Sequence, residues 1–137
     1  MDLLGKNPAF NLYDDMGKRI YARNYAMPSS FIAACSENVN CLIAEGCEIY
    51  GAVRHSVIST GCTVYEGALV EDSVVMPNVV IEAGAIIRHA IIGEDCRIRR
   101  GAVIGGCFAE GEAKQISVVG KGKIIEENRA VKPGEVV

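Results

Sequence analysis

Tryptophan is absent, and all aromatics together make up 6% of the 137 residues. The apolar half of the chain therefore comes mostly from Ile, Val and Ala, which suits strands and tight coils better than a helical bundle. No apolar run approaches the roughly 20 residues of a membrane span. Met1 to Gly17 lack the basic-then-apolar pattern of a secretion signal. The net charge is only -3, so nothing global draws the chain to nucleic acid or to an anionic membrane, and neither is expected as a partner. The six cysteines (Cys35, Cys41, Cys47, Cys62, Cys96 and Cys107) contain no CxxC pair and no accompanying His cluster. That spacing argues against a zinc or other metal site. Reduced thiols and a cytoplasmic location are the expectation.

What the chain does have is a repeat. Asn40-Cys41-Leu42-Ile43 is followed by His55-Ser56-Val57-Ile58, Asp72-Ser73-Val74-Val75 and His89-Ala90-Ile91-Ile92. The last three blocks are 17 residues apart, and the first interval is two residues shorter. Each 17 divides into six, six and five. Val or Ile then falls at 58, 64 and 70, at 75, 81 and 87, and at 92, 98 and 104, with Ile43 and Ile49 in the same register. Four residues after each anchor comes a second inward position: Cys47, Cys62, Ala68, Val74, Val79, Ala85, Ile91, Cys96 and Ala102. Gly46, Gly61, Gly67, Gly84 and Gly101 precede the small ones, where a sharp corner calls for positive φ.

The pattern predicts an all-β fold, a single-stranded left-handed parallel β-helix of about five coils. Branched residues line three flat sides, and neighbouring coils pair about 4.8 Å apart. Parallel crossovers are normally right-handed; the left hand is implied by resemblance to the hexapeptide-repeat class. A β-sandwich would not hold identical anchors in a 17-residue register. The β-helix is expected over 40–137, interrupted by a polar loop at 106–116 and resuming at Val119, Ile125 and Val131. Residues 1–39 are expected to be a linker segment packing on it.

Two large groups carry such stacks, acyltransferases and sugar nucleotidyltransferases. Asn11-Leu12-Tyr13-Asp14, Arg19-Ile20-Tyr21 and Met27-Pro28 resemble the linker of bacterial glucose-1-phosphate adenylyltransferases. Asp72-Ser73-Val74-Val75-Met76-Pro77, Ala90-Ile91-Ile92-Gly93-Glu94, Ile104-Gly105-Gly106 and the ending through Lys132-Pro133-Gly134-Glu135 are similar to that family's β-helix. The family's glycine-rich nucleotide loop has no counterpart here. The resemblance thus implies a C-terminal regulatory and oligomerisation domain with no catalytic residues and no cofactor of its own. ATP and Mg2+ would belong to a catalytic domain upstream, which makes ADP-glucose from glucose 1-phosphate for glycogen synthesis. The implied partners are that catalytic domain, further subunits of a tetramer, and a sugar-phosphate or phosphate effector. Two alternatives stay open: a stand-alone hexapeptide acyltransferase, and a non-catalytic regulatory paralogue of the adenylyltransferase.

An anionic effector needs cations, and Cys96-Arg97-Ile98-Arg99-Arg100 supplies a cluster. With Ile98 inward, Arg97 and Arg99 should point out, and guanidinium groups hold phosphate bidentately. The resemblance adds Lys121, which falls where plant relatives carry an activator-binding lysine. Solvated corner residues are the competing reading for all four. An acyltransferase would use a His as general base, which draws attention to His55 and His89. They share a slot with Asn40 and Asp72, however, which marks a corner favouring polar, turn-forming residues. The inward cysteines read as small core fillers rather than nucleophiles.

Overall fold

The computed structural model describes residues 26–108 and 112–137, all in short strands, turns and irregular segments. Three strands make one turn. The first turn is β1 (Phe31–Ile32), β2 (Asn38–Val39) and β3 (Leu42–Ile43); the second is β4 (Glu48–Ile49), β5 (Ala52–Arg54) and β6 (Val57–Ile58). The third is β7 (Thr63–Val64), β8 (Leu69–Glu71) and β9 (Val74–Val75), and the fourth β10 (Val80–Ile81), β11 (Ile86–Arg88) and β12 (Ala90–Ile92). The fifth is β13 (Arg97–Ile98), β14 (Val103–Ile104) and β15 (Ser117–Val119), with β16 (Ile124–Ile125) and β17 (Ala130–Val131) opening a sixth. Each strand pairs in parallel with the strand one turn away. The result is a first sheet of six strands from β1 to β16, a second of six from β2 to β17, and a third of five from β3 to β15. This is the parallel β-helix that the repeat predicts, consistent with the left hand that the resemblance implies.

The register explains the anchors. Ile49, Val64, Ile81, Ile98 and Ile125 stack as one column. Val53, Val70, Ile87, Ile104 and Val131 form the second, and Ile43, Ile58, Val75, Ile92 and Val119 the third. All but Ile43, which is half-buried, are at most 1% exposed. Full burial of each such side chain is worth about 1.5–3 kcal/mol. The corners turn through left-handed backbone at the five expected glycines (φ +68° to +74°) and equally at Asn40, His55, Asp72 and His89 (φ +44° to +50°). Asn and Asp tolerate that region better than other non-glycine residues.

Two expectations need correcting. Val74 and Ile91 do not point inward: Val74 is half-buried and Ile91 is exposed. The buried residues of that corner are Ser73 and Ala90. This side of the coil has five residues, so its inward position arrives one residue sooner. Nor does the stack begin at Asn40, because β1 and β2 already pair with β4 and β5. The first turn is masked in the sequence by a corner two residues short, Tyr50-Gly51-Ala52. There a Cβ on Gly51 would sit 2.6 Å from the Ala68 carbonyl oxygen and 2.7 Å from that of Tyr65. Asn38 takes the inward slot stacked on Val53, where an aliphatic anchor would have been recognised. The remainder of the expected linker, 1–25, lies outside the described residues. So do 109–111 of the loop that leaves the stack after β14 and returns at β15.

The five-residue side carries a buried hydroxyl ladder. Ser56 Oγ donates to the Arg54 carbonyl (2.7 Å) and accepts the Ser73 N–H (3.1 Å). Ser73 Oγ donates to the Glu71 carbonyl (2.7 Å) and accepts the Ala90 N–H (3.2 Å). Ser73→Ala strands the Ala90 amide in the interior, so denaturant unfolding should show a loss of about 1–3 kcal/mol. A loss below about 0.3 kcal/mol would show the ladder to be incidental.

Candidate functional site

Ile98 is fully buried, and strand alternation turns Arg97 to solvent on the first sheet. Arg99 and Arg100 follow on the corner between β13 and β14. Arg97 and Arg100 line one open cavity of about 320 Å³ with Tyr65, Val80, Glu82 and Ala83. Tyr65 stacks on Tyr50, with ring centroids 6.4 Å apart and planes 15° apart, and Tyr50 leans on Phe31 at 5.7 Å. The cavity thus offers two guanidinium groups and an aromatic ring. One acid is also present: Glu82 Oε2 accepts the Arg100 backbone N–H at 3.2 Å.

The other two predicted cations are placed differently. Arg99 Nη1 donates to Glu126 Oε2 at 3.0 Å. Lys121 stands on the corner between β15 and β16, at the other edge of the first sheet. Its Nζ donates to Glu94 Oε2 at 2.7 Å and lies 3.7 Å from Asp95 Oδ2. The hydrogen bond to Glu94 raises the ammonium above its ordinary value. The structure therefore brings two of the four residues together and gives each of the others an acidic partner.

A second constellation lies on the corner between the second and third sheets. The 17-residue period stacks His55, Asp72 and His89, and the three side chains interact. His55 Nδ1 is 2.5 Å from Asp72 Oδ1, and His89 Nε2 is 3.6 Å from Asp72 Oδ2. His89 Nδ1 is 3.0 Å from the Gly106 carbonyl oxygen, and Phe108 meets its ring edge-on at 5.0 Å. Both ring nitrogens of His89 thus already face protein oxygens. A cavity of about 300 Å³ beside the ladder is lined by Val74, Ile91, Lys114 and Ile116 as well as by these three residues and Ala90. The shared slot was readable in the sequence as a turn signal; the bonding between its occupants follows from their common column.

Among the described residues, no group of three or more His, Cys, Asp or Glu side chains is placed to hold a metal ion. The inward cysteines are packed as core. Cys47, Cys62 and Cys96 donate Sγ–H to the carbonyls of Ser59, Met76 and Gly120 at 3.0, 3.1 and 3.0 Å. Hydrogen bonding with Cys47 and burial push the Cys62 thiol up.

The model of the GlmU-like, C-terminal hexapeptide family matches residues 28–125. The chain belongs to that family. A glucose-1-phosphate adenylyltransferase of Acetivibrio thermocellus is 44% identical to this hexapeptide chain over 81 residues, 59% of this chain and 19% of that protein. Those of Bacillus mycoides and Bacillus cereus are 46% identical over 92 residues, 63% of this chain and 24% of theirs. The hexapeptide chain therefore matches about a fifth to a quarter of the length of these relatives. A solved structure of a putative acetyltransferase from Bacillus cereus aligns over 82% of this chain and 74% of its own, at 16% identity and a TM-score of 0.40.

The thiols offer a direct check on these placements. With a water-soluble disulfide reagent, exposed Cys35 and Cys107 should react promptly and half-buried Cys41 more slowly. Cys47, Cys62 and Cys96 should react only on unfolding. Prompt reaction of any of these three, read by peptide mapping, would contradict the register.

Proposed function

We propose that this chain is the regulatory and assembly end of a cytoplasmic glucose-1-phosphate adenylyltransferase, joined in the longer protein to a catalytic domain that uses ATP and Mg2+. The observation that carries the reading is the 44–46% identity to enzymes of that name. The β-helix supplies a rigid body for subunit contacts. Its effector site is the cavity between Arg97 and Arg100, and the effector is an anionic sugar phosphate or phosphate. Guanidinium forks take the phosphate oxygens, and the Tyr65 ring supports the apolar face of a sugar. Arg99 and Lys121 already hold carboxylates and contribute less. Glu82 opposes the anion, which keeps the site weak enough to release it.

Titration of fructose 1,6-bisphosphate and of inorganic phosphate into the chain, followed calorimetrically, tests this. Arg97→Ala and Arg100→Ala should each weaken binding at least about tenfold, the loss of one charge-assisted hydrogen bond. Glu82→Gln should tighten it by a few-fold, and Lys121→Ala should change it little. Equal affinity in all four variants would remove the site. A second reading, acyl transfer, is favoured by the His55–Asp72 pair, in which a carboxylate orients an imidazole beside a cavity whose apolar lining is Val74, Ala90, Ile91 and Ile116. Binding of acetyl-coenzyme A that is lost in His55→Ala would favour that reading instead.

A further inference from the structure

We propose that the outer face of the second sheet is a self-pairing surface, on which a second copy of this chain packs with its coil axis antiparallel. The inference rests on the assembly role proposed above and names the surface that performs it.

Strand alternation gives this face two outward columns. Ala52, Leu69, Ile86 and Val103 stack in register as one, and Arg54, Glu71 and Arg88 as the other. The residues between the columns are the buried anchors Val53, Val70 and Ile87. The first column carries four consecutive aliphatic side chains on the outer face, Val103 exposed and the other three half-buried. The second alternates in charge, and Arg88 Nε already donates to Glu71 Oε2 at 3.0 Å. Both of these side chains keep about a third of their surface exposed, at 30% and 31%.

A two-fold axis running parallel to the strands, between β8 and β11, reverses the order of the rows and leaves each column facing itself. Leu69 then meets Ile86 of the second copy, and Ala52 meets its Val103. Small residues at the ends of the column oppose small or medium ones, and the two largest pair at the centre. In the charged column, Glu71 meets Arg88 of the second copy and Arg88 meets its Glu71. Four charges close into a ring of alternating sign without any side chain changing row. Such an isologous contact uses one patch twice. Charge order fixes its register, because sliding by one row would set Glu71 against Glu71.

The other two faces lack this match. The outward column of the first sheet mixes Glu48, Thr63, Val80 and Arg97. The third sheet has aliphatic outward positions but no charged column beside them, and Ile116 of the 105–116 segment borders the cavity on that face.

Sedimentation of the full chain tests the proposal. The native chain should sediment at twice its monomer mass at tens of micromolar. Glu71→Arg and Arg88→Glu each place like charges across the axis and should weaken self-association at least about tenfold. Mixing these two variants restores opposite charges only between copies, so the mixture should recover the dimer as a heterodimer. That recovery also shows both variants to be folded. A dimer that persists unchanged in both single variants, or a mixture that stays monomeric while both variants melt cooperatively, would overturn this face and leave the assembly role standing. A native chain that is monomeric at 100 micromolar would overturn both.

Discussion

Every coil is held by the coil beside it. The Val80 N–H donates to the Cys96 carbonyl at 3.0 Å and the Ile86 N–H to that of Ala102 at 2.8 Å, and the pattern recurs around the stack. A strand of two or three residues has no stability alone. It persists because backbone pairing on both sides and a filled interior coincide at one register. That requirement makes the coil length nearly constant and the inward columns almost wholly aliphatic. It also confines irregularity to corners. The short Tyr50-Gly51-Ala52 turn and the 105–116 excursion both fall where a side ends, so neither shifts an anchor.

The same constraint distributes chemistry over the surface. Residues one coil apart become neighbours, so the chain can write side-chain columns. His55, Asp72 and His89 form one, Arg54, Glu71 and Arg88 another, and Tyr50 lies over Tyr65. A rigid body with residues at fixed rows suits binding and assembly better than motion. The candidate anion cavity depends on this: Arg97 on its strand and Arg100 on the next corner converge with Tyr65, two coils away in sequence.

The anchors, the corner glycines and the outward turn of Arg97 were legible because each follows from periodicity alone. Ser73 and Ala90 were missed in favour of Val74 and Ile91 because an aliphatic residue beside the true inward slot imitates the anchor pattern. The first turn was missed because Asn38 fills an inward slot and the Gly51 corner breaks the count. The partners of Arg99 and Lys121 were illegible for a different reason. Both pairs span 27 residues, Arg99 to Glu126 and Glu94 to Lys121, because the 105–116 excursion adds to the coil period. A search at 17 residues does not find them. The meeting of Arg97 with Arg100 depends on a corner's shape, which composition does not reveal.

The central claim is that a 17-residue module sets the register of the whole stack. Cooperative thermal unfolding of two deletion variants tests it most directly. Removing residues 72–88 takes out one full module and joins Glu71 to His89, so every column remains continuous. That variant should still unfold in a single sharp transition. Removing 72–87 is one residue shorter and sets every inward anchor beyond the joint out of phase, so it should lose the transition. Equal behaviour of the two variants, both folded or both unfolded, would contradict the account.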